Sequence, residues 1–220
     1  KGYLLVHAAA VSKDNQAYLL EGRGGVFKTT LAMDLVRRKR FQFMGDDRVI
    51  GYRDKILSFP LHHLLFTFRV KHLPTEEPRD LLDKFRLVKY IRGNSKYANP
   101  AIKIADFSTL GALVSILKTN KKEISVREVD LKEVVNRLVR SIKMEMVYSP
   151  RMMGINFGRY LKYMLAYSFV FPKSRVASYW DDLNEKLEDI FEGTPIYEIE
   201  IPEKYTLSTF QEILKTIGVD

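Results

Sequence analysis

The sequence predicts an α/β fold: a mixed sheet built around a phosphate-binding loop, with helical additions in the C-terminal half. Three observations predict it. A strand-like run from Ala17 to Glu21 leads into the stretch Gly22-Arg23-Gly24-Gly25-Val26-Phe27-Lys28-Thr29-Thr30, and a helix-like run from Thr29 to Arg38 leaves it. Short β-branched and aromatic runs separated by tight turns indicate hairpins on both sides of that unit. Between residues 130 and 192, apolar positions recur at helical spacing.

In chain order, Tyr3 to Val11 reads as one buried strand with His7 inside it. Asp14-Asn15 turns the chain, and Ala17 to Glu21 returns as a hairpin partner. The helix after the loop carries Leu31, Leu35 and Val36 on one face, and Phe41 to Met44 is a short strand ending in Gly45-Asp46-Asp47. Val49 to Tyr52 and Ile56 to Phe59 form a second hairpin, turned at Arg53-Asp54. Pro60-Leu61-His62-His63 begins a less regular stretch, and Pro74 to Pro78 is a loop or helix start. Arg79 to Ile91 is helical, and the Gly/Asn/Pro-punctuated Gly93 to Pro100 is a loop.

Gly111 to Lys118 is a strand. A helix runs from Asp130, its N-cap, to about Met146, with Glu133 at the capping-box position and Val134, Leu138 and Ile142 on one face. Gly154 to Gly158 is a turn, Arg159 to Phe169 a strongly apolar helix, and Ser174 to Phe191 a further helix bearing Trp180. The alternation from Pro195 to Ile201 marks a strand, and Leu207 to Ile217 closes the chain as a helix with Ser208 near its start. The whole, residues 1–220, is expected to be a single domain with residues 130–192 as a helical region inside it. Because the sequence starts at Lys1, an N-terminal truncation and a lost leader both stay open.

No cysteine is present, which excludes disulfides and thiolate metal sites and suits a reducing, cytoplasmic setting. No apolar run reaches the length of a membrane span, so no membrane partner is expected. The net charge of +9 admits nucleic-acid binding or a solvated basic surface around an anion site. The basic runs Arg37-Arg38-Lys39-Arg40 and Lys118 to Lys122 sit at element ends without interleaved aromatics, which favours the second and disfavours nucleic acid.

The chemistry centres on the glycine-rich stretch. Glycines let successive backbone N–H groups point at one anion, and a helix N-terminus adds unpaired donors and a positive dipole end. Lys28 supplies a point charge for outer phosphates, and Thr29 a hydroxyl for magnesium. Against the pattern G-x-x-x-x-G-K-[ST], Gly22, Lys28 and Thr29 fit, but Phe27 stands where the second glycine belongs. Two outcomes are open. The ring crowds the phosphates, or the residue sits at negative φ with its ring turned away; a left-handed backbone costs about 1–2 kcal/mol.

Asp46 and Asp47 end the strand after the loop's helix, where a carboxylate can hold magnesium or take a proton from an attacking hydroxyl; Asp is also common in plain turns. His7 is either a satisfied core residue or the group that orients a catalytic carboxylate or a phosphate. His62-His63, read as neighbours on a strand, point to opposite faces and make a poor chelate. Arg151 and Arg159 are cations that could face a phosphoryl group, though nothing in their spacing places them there.

Together these residues resemble the HPr kinase/phosphorylase family and its relatives with a phosphoenolpyruvate-carboxykinase-like phosphate-loop fold. His7 precedes Gly22 by fifteen positions, as the family's active-site histidine precedes its loop. Lys28-Thr29-Thr30 is similar to the carboxykinase loop ending, and Gly45-Asp46-Asp47-Arg48-Val49 to the family's paired aspartates. The likeness is specific over about Lys1 to Tyr52; Leu110-Gly111 to Leu117 and Pro195 to Ile201 are similar to later strands.

The resemblance implies a kinase using ATP and Mg2+ on a hydroxyl acceptor, a protein serine or a small metabolite. Gly22 to Thr30 would hold the phosphates, Thr29 and Asp46 the metal. Asp47 would be the general base and His7 would orient it; the two aspartates are interchangeable in these roles. A homo-oligomer is admitted. The family's phosphorolysis region has no counterpart here, so phosphorylase activity is not implied. The loop is also similar to the deviant G-K-G-G-V-G-K-T-T loop of MinD/ArsA-type ATPases, but those carry it after their first strand. A non-catalytic phosphate-binding module is the other reading, and Phe27 is the residue that favours it.

Overall fold

The structure, a computed structural model, describes residues 2–61, 63–72, 81–94, 102–148 and 157–218. Its centre is a mixed sheet. β1 (Leu4–Val6) pairs antiparallel with β5 (Val49–Tyr52), which turns at Arg53-Asp54 into β6 (Lys55–Leu57). β2 (Ala9–Lys13) and β3 (Gln16–Glu21) form the expected hairpin, with Asp14 and Asn15 both at positive φ in its turn. β4 (Gln42–Gly45) pairs antiparallel with β2 on its other edge. The long β7 (Phe107–Lys118) lies parallel to β3, and β9 (Ile196–Ile201) lies parallel to β7. β8 (Ser125–Glu128) pairs antiparallel with β9.

Strand direction decides where the site lies. β4 and β3 both run antiparallel to β2, so they run parallel to one another. The C-terminal ends of β3, β4, β7 and β9 therefore share one edge of the sheet. The start of β2 lies at that same edge. The segments after β3 and β4 and before β2 are thereby gathered from three places in the sequence.

Helices cover both faces. On one, α1 (Lys28–Lys39) and α7 (Leu207–Thr216) pack Leu31, Leu35, Phe210 and Ile213 against Leu20, Val114 and Ile199. On the other, α4 (Leu131–Tyr148) and α6 (Arg175–Phe191) pack Val134, Leu138, Leu187 and Phe191 against Ala17, Leu19 and Leu113. The period of two along β3 sends alternate residues to the two layers. α2 (His63–His72) and α3 (Leu81–Asn94) form a peripheral pair, and α5 (Phe157–Val170) packs on α4 and α6. None of the described helices is long and apolar enough to cross a membrane.

Several elements differ from expectation. Tyr3 to Val11 is two strands, because the chain leaves the ladder at His7 and changes partner from β5 to β2's neighbours. The irregular stretch after Pro60 is the helix α2, so the premise that His62 and His63 lie on a strand fails; His63 opens that helix and His62 lies outside the described residues. Gly93 and Asn94 end α3, while the rest of the loop expected to Pro100 lies outside the described residues, as do Pro74 to Pro78, Gly154 and Arg151. Gly158, expected in a turn, lies in α5, which holds Arg159 as expected. Glu133 forms no capping box: its carboxylate lies 3.5 Å from Arg127 Nη2 and 3.9 Å from Arg137 Nη1. The strongly apolar helix expected there is α5, and Tyr160, Tyr163 and Phe169 on it are exposed.

Candidate functional site

The segment between β3 and α1 is a tight turn that glycine makes feasible. Gly22 sits at φ 148°, and a Cβ there would come within 2.5 Å of the Ile116 carbonyl oxygen and 2.7 Å of Val26. Gly25 lies at φ 84°. α1 then begins with no side-chain cap on its first N–H groups and no acidic residue in its first turn. Its positive end is left facing the pocket. The other end is closed in the ordinary way: Arg37, Arg38 and Lys39 occupy the last turn, and the Arg40 N–H donates to the Leu35 carbonyl.

Phe27 is the N-cap and holds φ 66°, ψ 19°. The negative-φ outcome is thus overturned: the backbone takes the left-handed form that a glycine would take. Its half-buried ring packs toward Tyr205, with centroids 5.6 Å apart, and Lys118 Nζ sits 5.1 Å from the ring centroid. The strained backbone is held by packing on the face shared by α1 and α7.

Lys28 is buried, and its ammonium donates to the carbonyls of Gly22 (2.5 Å) and Arg23 (3.1 Å). Val26 is a core residue. Arg23 and Gly24 are exposed. A cavity of about 470 Å³ opens beside the turn, lined by Lys28, Thr29 and Thr30 from α1 and by Asp46 and Asp47 from the end of β4. Close approach also explains Gly45: a Cβ there would lie 2.2 Å from the Arg48 carbonyl oxygen. His7, at the break between β1 and β2, is buried, and its Nδ1 lies 3.5 Å from Asp47 Oδ1. Asp47 is half-exposed, with Arg48 Nε 3.9 Å from its other oxygen. His7, Lys28, Asp46 and Asp47 thus meet at one sheet edge.

Two features lay outside the sequence reading. Leu65 and Arg69 of α2 line the same cavity. Beneath the turn, Glu21, Ser115 and Glu198 form a buried row across β3, β7 and β9. Ser115 Oγ donates to Glu21 Oε2 at 2.7 Å, Arg127 Nε donates to Glu198 Oε1 at 2.6 Å, and Arg137 pairs with Glu198 Oε2. Burial pushes the Glu21 carboxyl above the usual carboxylate range, opposed by the Ser115 hydroxyl and by the charges of Arg137, Lys28 and His7. The only signal in sequence was Glu21's position as the last strand residue before Gly22.

No family model matches the chain, and no curated protein matches its sequence. Among solved structures it is similar to that of the Hpr(Ser) kinase/phosphatase from Coxiella burnetii, with a TM-score of 0.28 and 13% identity over 65% of this chain and 98% of that one. At that score the likeness is remote, and the chemistry of the site is argued from its own residues.

Proposed function

We propose that this chain is an ATP- and magnesium-dependent kinase, related to the HPr kinases, that phosphorylates a hydroxyl acceptor. One observation carries the reading: an uncapped helix N-terminus with Lys28, a carboxylate pair and a buried histidine border one cavity although they come from separate parts of the chain. The donor set fits the ligand. Thr29 and Asp46 offer hard oxygen donors of the kind magnesium takes, and loop N–H groups with Lys28 suit phosphate oxygens. Magnesium, when bound, supplies charge neutralisation to the phosphates.

The residues divide the work. Lys28 exchanges its two carbonyl partners for phosphate oxygens. Asp47, the more exposed carboxylate, accepts the proton of the acceptor hydroxyl as oxygen attacks phosphorus. His7, buried against Asp47, is a positioning residue that fixes the carboxylate's direction. The non-catalytic reading keeps one supporting observation: Phe27 itself lines the cavity beside Lys28.

Calorimetry with Mg-ATP tests the reading. Lys28→Ala is expected to weaken binding by at least about tenfold, the scale of one charge-assisted contact. Equal affinity in wild type and variant refutes the phosphate site.

A further inference from the structure

Within the proposed kinase reading, on which this inference rests, we propose that Arg69 of α2 is a catalytic residue whose guanidinium meets the transferring phosphoryl group. Aromatic packing fixes α2. Phe66 is buried and stacks on Phe43 of β4, with centroids 4.1 Å apart and planes 21° apart. Phe43 lies three residues before Asp46 on the strand that ends in the two aspartates. Phe68 is buried too, with the His72 and Tyr90 rings 5.0 and 5.6 Å away. These aromatic contacts set the rotation of α2 about its axis. Leu65 and Arg69, one turn apart, therefore share a face, and both line the cavity that Lys28, Thr29, Asp46 and Asp47 line.

Arg69 thereby adds to the lining a second cation, from an element distant in sequence from the loop. Lys28 comes from the helix start and Arg69 from an element after both aspartates. In the transfer, the acceptor oxygen bonds to the γ-phosphorus and its proton passes to Asp47. The bond from phosphorus to the bridging oxygen breaks, and its electron pair leaves with ADP. Negative charge is spread over the equatorial oxygens at that stage. A planar guanidinium can donate two parallel hydrogen bonds to such oxygens, which an ammonium cannot. The protein would carry in one chain the charge that some phosphoryl-transfer enzymes receive from a partner.

Binding of a transition-state mimic tests this without knowledge of the acceptor. The probes are Mg-ADP alone and Mg-ADP with aluminium fluoride, which imitates the planar phosphoryl group. Wild type is expected to bind Mg-ADP at least ~100-fold more tightly with aluminium fluoride than without, the scale of one preorganised donor. Arg69→Met keeps the aliphatic stem and removes the charge. It is expected to bind Mg-ADP within about fivefold of wild type yet lose most of the fluoride-dependent gain, and Arg69→Lys to recover only part of it. A thermal melt of each variant checks that α2 stays docked. An equal gain in wild type and Arg69→Met, or no gain in wild type, overturns the role of Arg69 while Mg-ADP binding stands. No Mg-ADP binding in wild type overturns the kinase reading and this inference with it.

Discussion

Replacing Phe27 separates the backbone cost of the loop from the packing of its ring. With φ at 66° and ψ at 19°, a side chain costs about 1–2 kcal/mol in the left-handed region, whereas glycine bears none of that cost. Half-burial of the ring is worth roughly 1 kcal/mol, half of what full burial of Phe gives. The Tyr205 contact adds about 0.5–1.5 kcal/mol and the Lys118 cation about 0.5–1. Phe27→Ala loses all of this and keeps the strain, so a loss of about 2–3.5 kcal/mol is expected. Phe27→Gly loses the same ring but sheds the strain, less about 0.5–1 kcal/mol for glycine's freer unfolded chain. Glycine should therefore be more stable than alanine here by about 0.5–1 kcal/mol, the reverse of their order at an ordinary helix position. The assay is urea unfolding followed by the fluorescence of Trp180, the single tryptophan, which is buried against α4 with Lys143 Nζ 4.8 Å from its ring centroid. An alanine variant as stable as the glycine one refutes the left-handed loop. The same two proteins serve a Mg-ATP titration. Affinity of Phe27→Gly within several-fold of wild type supports the kinase; binding only in Phe27→Gly supports the non-catalytic module.

Asp47→Asn should lower phosphoryl transfer to a hydroxyl acceptor by about 10²–10⁴-fold, with Mg-ATP affinity in calorimetry little changed. His7→Gln should lower it by less, since Asp47 keeps its carboxylate and loses only its orientation; equal losses from both would assign His7 a direct part. Glu21 has its carboxyl raised by burial, so the native state binds its proton more tightly than the unfolded chain does. Its contribution is complete below its ordinary value near 4.5 and is lost as pH rises through the raised value. Glu21→Gln should therefore flatten the fall in unfolding free energy with rising pH above that point, measured by urea titration at a series of pH values. Phe66→Ala, which empties the stack on Phe43, should destabilise by about 3 kcal/mol in the same assay.

Where local chemistry dominates, the sequence was readable. The β2–β3 hairpin, the turn at Arg53-Asp54 and the alternating β9 each carry their signal within a few residues. The failures have nameable causes. β1 and β2 look like one strand because both are apolar, and only the rest of the sheet reveals that they pair with different neighbours. β8 has both faces exposed and no alternation to read; its pairing with β9 holds it in place. α2 has apolar residues around most of its circumference, which blurs a 3.6-residue period. α5 has enough apolar residues for a core helix, yet residues facing away from α4 and α6 keep their rings exposed.

The site divides along the same line. Lys28, Thr29 and the aspartates follow from motif spacing, and strand direction brings them together. Glu21 and Arg69 depend on tertiary neighbours that spacing cannot supply. A carboxylate ending a strand is ordinary until Ser115, 94 positions away, donates to it and the charge of Arg137 on α4 reaches it. The two buried glutamates of the row also differ in a way that only the packing reveals. Glu198 has two arginines on its two oxygens, whereas Glu21 has a neutral hydroxyl and feels its cations at longer range. A buried charge without a close counter-ion is the costlier one. The row therefore places its less compensated carboxylate beneath the loop, within the field of Lys28, where drawing Lys28 toward a bound phosphate would leave Glu21 less compensated still.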